Sequence, residues 1–158
     1  MHQRSFFQSV LKSGLIVALL DGTAACVNAY LQRKVGPLAV FRYVASGAFG
    51  RDALTGGWDM VLWGLFFHFF VATAWTFLFY LLFTRVKVLQ LNKIYVGIVY
   101  GVFVWLGMNF IVLPLSNVPP LTYRLMPTLI MIGIHMFVIG LTISILANQY
   151  FSSKKIIA

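Results

Sequence analysis

Five polar or ionisable residues stand inside stretches that are otherwise apolar: Asp21, Asn28, His68, Asn109 and His135. A charged side chain at the middle of a membrane helix costs at least ~2.5 kcal/mol on insertion scales, so such residues face partners or a polar path. Three chemistries fit them. The first is a buried hydrogen-bond network that sets helix register, with Asp21 protonated or paired with a histidine. The second is a path for protons or a small solute, in which His68, His135 and Asp21 exchange protons. The third is a cofactor site: two imidazoles on different helices can ligate haem iron axially, and with Asp21 they make a two-histidine, one-carboxylate transition-metal set.

The elements that carry these residues are legible from hydropathy. The chain is 61% hydrophobic and only 9% charged, with a mean hydropathy of +0.91 over 158 residues, which excludes a water-soluble globule. A hydrocarbon core of about 30 Å needs roughly 20 apolar residues per helix. Four stretches meet that length, at residues 13–32, 60–83, 94–115 and 126–148. They are continuous rather than alternating, which predicts an all-α membrane four-helix bundle in one domain, not a barrel. Counting about 1.5 Å per residue from Met60 and Met126 puts His68 and His135 roughly 12 to 14 Å deep, so the polar side chains are expected to meet in one half of the bundle.

Small residues accompany the polar ones. Asp21, Ala25, Asn28 and Gln32 share a face of the first span with Gly14 and Ala18, and Gly64, His68, Ala72 and Thr76 share one on the second. Stripes of this kind mark helix contact, because small residues admit a neighbouring backbone. Gly97 and Gly101 form a GxxxG pattern on the third span. On the fourth, Thr128, His135, Thr142 and Gln149 recur every seven residues, with Gly133, Gly140 and Ala147 nearly opposite. One face is expected to serve the bundle and the other a second copy of the chain. Pro114 cannot donate its backbone nitrogen, so the third span should kink or end near Asn109, whose amide can satisfy freed groups. Pro119, Pro120 and Pro127 stiffen the connection that follows.

Between the first two spans, residues 38–49 predict an additional short helix, interfacial or re-entrant, opened by Gly36-Pro37 and followed by Gly56-Gly57. Arg42 and Ser46 share one of its faces. Asp59 is expected to cap the second span.

The net charge of +9 resides mostly at the ends of apolar runs, which predicts contact with anionic lipids and argues against nucleic acid. Arg4, Lys12, Arg85, Lys87, Lys93, Lys154 and Lys155 fall on one side, against Arg33, Lys34, Arg42, Arg51 and Arg124 on the other; this bias predicts cytoplasmic termini. Tyr80, Tyr95 and Tyr150 mark one interface, and Tyr30, Trp58 and Tyr123 the other. Cys26 is the single cysteine, so no intramolecular disulfide forms. Thr23-Ala24-Ala25-Cys26 is not read as a lipoprotein cleavage site, because Asp21 breaks the apolar run before it. HExxH, G-x-S-x-G, P-loop and CxxC patterns are all absent, and the only acids are Asp21, Asp52 and Asp59.

Ala45-Ser46-Gly47, Gly56-Gly57 and Gly64-Leu65-Phe66-Phe67-His68-Phe69, with Met108-Asn109-Phe110-Ile111-Val112-Leu113-Pro114 and His135 ahead of Gly140-Leu141, resemble small bacterial inner-membrane proteins of broadly YagU-like layout. The likeness spans about residues 13–147. It implies a four-helix membrane fold in the bacterial inner membrane and no particular activity. Those proteins often carry proline where this chain has Thr142. The reading that follows is a non-enzymatic envelope or accessory membrane protein, associating with itself or another membrane protein. Proton-coupled solute movement is the alternative and haem- or metal-dependent redox work the third.

Overall fold

The computed structural model describes residues 5–119 and 124–155, the last two by backbone alone, and every regular element among them is helical. Arg4, Pro120 and Tyr123, and the side chains of Lys154 and Lys155, lie outside the described residues. Four helices are long and apolar enough to cross a membrane: Phe6–Arg33, Trp58–Phe83, Lys93–Val112 and Leu125–Ser153.

Helix α1 (Phe6–Arg33) starts earlier than hydropathy alone indicates, because Ser5 and Gln8 form a reciprocal capping box with both bonds at 3.2 Å. It stops at Lys34, which takes a left-handed conformation with φ 56° and returns its N–H to Ala29 and Tyr30. Helix α2 (Pro37–Phe49) begins with proline in its first turn and ends at Gly50, whose φ of 68° favours a residue without Cβ. A 3-10 segment, Gly50–Thr55, leads to helix α3 (Trp58–Phe83). The cap of α3 is Gly57, not Asp59. Asp59 sits within the first turn, where the helix dipole favours its charge, but it makes no capping hydrogen bond.

A second 3-10 turn, Lys87–Gln90, precedes helix α4 (Lys93–Gly107), capped by Asn92 accepting from Ile94 at 2.9 Å. The third span then changes pitch. Residues Met108–Val112 form a π turn closed by Leu113 N donating to the Met108 carbonyl at 2.8 Å, directly before Pro114. The last span is a rod of helix α5 (Leu125–Ile134), a π turn at His135–Gly140, and helix α6 (Leu141–Lys155).

The second π turn corrects the expected division of the fourth span into two faces. An α-helix would place His135 and Gly140, five residues apart, on well-separated faces, whereas i→i+5 bonding brings them to nearly one side. Both meet α4. A Cβ on Gly101 would collide with the His135 carbonyl and Met136, and one on Gly140 with Gly97 and Gly101. Gly97 packs at Leu141 in the same way, and Ala147 is fully buried. The glycine stripe is therefore spent within the bundle. Gly133 alone has open space where its Cβ would stand.

Packing is uneven along the bundle. Val10, Val17, Phe79, Tyr80, Phe83, Val96, Tyr100, Val104, Ile139, Ile143 and Ala147 make one buried core, all at the end that holds the termini and the α3–α4 connection. Hydrogen bonds tie this end together: Ser13 to Tyr80 at 2.8 Å between α1 and α3, and Tyr100 Oη to the Trp75 carbonyl at 2.7 Å between α4 and α3. Helices α3 and α4 meet here through rings, with Phe79 and Tyr100 centroids 4.7 Å apart, not through close backbones. Toward the other end that buried core stops, and the space between the helices widens into a cavity.

Helix α2 stands at that wider end and packs alongside α3. A Cβ at Gly64 would overlap the Phe41 carbonyl, and the Phe41 ring meets His68 edge-on at 6.0 Å. His68 lies ten residues into α3, roughly 15 Å from its start. That depth makes α2 a helix tucked into the bundle, not one lying across its surface. The connection after α4 secures it: Asn117 donates from its backbone to Gly47 O at 2.9 Å and from its side chain to Ala48 O at 3.1 Å. These two bonds satisfy carbonyls in the last turn of α2 that have no intrahelical partner.

Candidate functional site

The cavity occupies about 760 Å³ and is walled by α1, α2, α3, the α4 π turn and α5. Asp21, Asn28, His68, Asn109 and His135 all line it. Their side chains come from four separate helical segments, so the fold collects residues that are up to 114 positions apart, from 21 to 135.

The two histidines are held in opposite ways. His68 Nε2 lies 2.8 Å from the Ala18 carbonyl of α1, and because a carbonyl only accepts, Nε2 carries the proton. Gly22 makes this possible, since a Cβ there would stand 3.0 Å from Nε2. His135 Nδ1 lies 2.8 Å from the Met131 carbonyl one turn earlier on its own helix, so there Nδ1 carries the proton. Neutral His68 therefore has a bare Nδ1, and neutral His135 a bare Nε2.

Asp21 makes no side-chain hydrogen bond among the described residues, yet both imidazoles are within electrostatic reach of its carboxylate. It is neither sealed in the core nor open to bulk solvent, and borders the cavity. Both imidazoles donate to backbone carbonyls rather than to Asp21. Asp21, His68 and His135 thus line one cavity, and each neutral ring keeps one nitrogen that can only accept.

The remaining polar residues have local duties. Asn109 donates to the Trp105 carbonyl at 2.8 Å and supports the π turn that Pro114 terminates. Asn28 donates to Met131 Sδ at 3.4 Å and accepts from Gln32, which joins α1 to α5. Trp75 donates to Met108 Sδ at 3.3 Å and its ring covers Gly107, holding the π turn of α4 against α3. Among the described residues, no three His, Cys, Asp or Glu side chains gather into a metal-ligand set.

The rest of the lining is mostly apolar and aromatic. Phe41, Phe67, Phe70 and Trp105 contribute rings, and Arg33 and Arg124 stand exposed at the mouth. Phe70 and Val71 of α3 and Trp105 and Met108 of the third span are among the lining side chains, and Phe70 is 63% exposed. The role of α2 as a cavity wall was not foreseen, nor was that of Gly22 or Asn117. Gly22 directly after Asp21, eight residues from Gly14 on the packed face, was the one local signal for the histidine's seat.

Fold and cavity together define a helical chain with four spans of membrane-crossing length and a polar-floored pocket between them. No family model matches it, and no curated protein or solved structure is significantly similar. The YagU-like resemblance rests on the quoted residues alone.

Proposed function

We propose that this chain is a non-enzymatic multi-pass protein of the bacterial inner membrane that takes a small amphipathic solute into its cavity in a proton-linked manner. The observation that carries the reading is the pairing of a 760 Å³, largely apolar cavity with Asp21 and two histidines on its floor. A buried network whose only task was to fix register would leave no such space, because voids forfeit packing contacts and small residues would let the helices close. Ligand pockets, by contrast, combine apolar walls with a few convergent polar groups.

The excess of Lys and Arg beside the termini and the α3–α4 connection supports a cytoplasmic location for that end, with anionic lipid headgroups as its contacts. The cavity would then open toward the opposite side. A second copy or another membrane protein would complete a full transport path, since one bundle blocks its own terminal end with the core.

The test is native mass spectrometry of the protein released from mild detergent, beside an Ala25→Phe variant that fills the cavity. A small molecule retained by the native chain and absent from the folded variant supports the reading. Equal contents in both would overturn it.

A further inference from the structure

The cavity's donor and acceptor balance points to the chemistry of its occupant. Each imidazole already spends its N–H on a backbone carbonyl, Ala18 for His68 and Met131 for His135. What remains is the Asp21 carboxyl, which lines the cavity without a protein donor among the described residues, while each ring keeps one unprotonated nitrogen. A site composed of acceptors is completed by N–H or O–H donors, and a carboxylate in apolar surroundings favours a cationic donor most strongly.

The walls agree with that requirement. Phe41, Phe67, Phe70 and Trp105 line the same space, and the face of an aromatic ring attracts a cation within about 6 Å. A bare metal ion would instead need three or more side-chain ligands brought together, and no such group forms among the described residues.

The geometry points to an amphipathic amine in its protonated form, its ammonium held by Asp21 and its apolar body lying against the aromatic wall. This rests on the reading of the cavity as a ligand site. The cations at the mouth do not contradict it. Arg33 stands twelve residues from Asp21, roughly 18 Å along α1, beyond the ~8 to 10 Å over which exposed charges act at physiological salt.

The same arrangement couples the amine to protons. A proton on the Asp21 carboxylate removes the charge that holds the ammonium, so protonation there and amine binding oppose one another. The groups that bear on Asp21 are His68 from α3 and His135 from the π turn of the last span; Tyr43 from α2 also lines the cavity, with Arg33 and Arg124 at the mouth, and the lining residues of α4 include none that titrates.

The experiment is calorimetric titration of the detergent-solubilised full chain with 4-phenylbutylamine and with 4-phenylbutanol, which has the same body but no charge, at pH 7.5 and 5.5. The expected result is about tenfold or tighter binding of the amine at the higher pH, the difference a charge-assisted hydrogen bond makes. That advantage should vanish in the near-isosteric Asp21→Asn variant and shrink at the lower pH. The comparison of the two ligands on the native chain needs no variant, so a misfolded substitution cannot hide the answer. Equal affinity for the amine and the alcohol, both abolished by Ala25→Phe, would overturn the amine assignment and leave the cavity reading standing. Binding indifferent to Ala25→Phe would place the ligand elsewhere and overturn both. Absence of binding by either compound would overturn the amine assignment alone, because the co-purified occupant reports on the cavity separately.

Discussion

His68 on α3 donates its Nε2–H to the carbonyl oxygen of Ala18 on α1 at 2.8 Å, across a gap that Gly22 keeps clear. The bond ties the second span to the first at the cavity floor. It also selects a tautomer, and His135 selects the other one through Met131. Nitrogen-15 spectra of histidine-labelled protein, with both rings neutral, should therefore show one Nε2–H and one Nδ1–H imidazole at these positions. Replacing Gly22 with Ala should shift the His68 signals and leave those of His135 nearly unmoved. Identical tautomers at the two sites would contradict the hydrogen-bond assignment.

Gly64 and Gly133 make a paired test of packing. At Gly64 a methyl group would overlap the Phe41 carbonyl, so Gly64→Ala must push α2 away and should cost about 1 to 3 kcal/mol. At Gly133 nothing stands within 4 Å, and Ala gains about 0.5 to 1 kcal/mol of helix propensity. Thermal unfolding in one detergent should rank Gly133→Ala at or above the native chain and Gly64→Ala well below it. The reverse order would mean that α2 does not seat on α3 as described.

The Ser13–Tyr80 bond offers a direct measure of what a buried polar contact contributes at the packed end. Its length of 2.8 Å and its position inside the core favour a real coupling, while intramembrane hydrogen bonds average only about 0.6 kcal/mol by double-mutant cycles. A cycle of Ser13→Ala and Tyr80→Phe should give a coupling of about 0.5 to 1.5 kcal/mol. Additive single effects would show that the pair contributes nothing beyond its packing.

Asn117 should control the stability of α2 without touching the cavity floor. Its two bonds to Gly47 and Ala48 satisfy terminal carbonyls of α2, and Asn117→Ala removes the side-chain one. Hydrogen exchange at the end of α2 should accelerate by about fivefold, in line with a net hydrogen bond of roughly 1 kcal/mol. Exchange at the α1–α3 contact around Ser13 should stay unchanged. Uniform acceleration across the chain would indicate that the latch stabilises the whole bundle rather than one element.

Much of this architecture is determined locally. The apolar runs require helices because in lipid a helix satisfies its own backbone, and their lengths follow from the thickness to be crossed. Pro37 and Gly50 bracket α2, and Pro114 ends the third span, for reasons contained within a few residues of each. The presence of Asp21, His68 and His135 in such runs already required that they turn away from lipid.

Tertiary structure decided the rest. Helical periodicity assumes a constant 3.6 residues per turn, and the π turns at Met108–Val112 and His135–Gly140 break it, so the face on which His135 and Gly140 both pack was hidden from any count along the chain. The seat of α2 depends on Gly64 meeting Phe41 and on Asn117 reaching Ala48, contacts between residues 23 and 69 positions apart that no local pattern encodes. The cavity follows from where the buried core ends, a property of all the packed helices at once. Sequence determined which side chains must find partners; only packing decided that the partners of the two histidines are backbone carbonyls, leaving Asp21 to face open space.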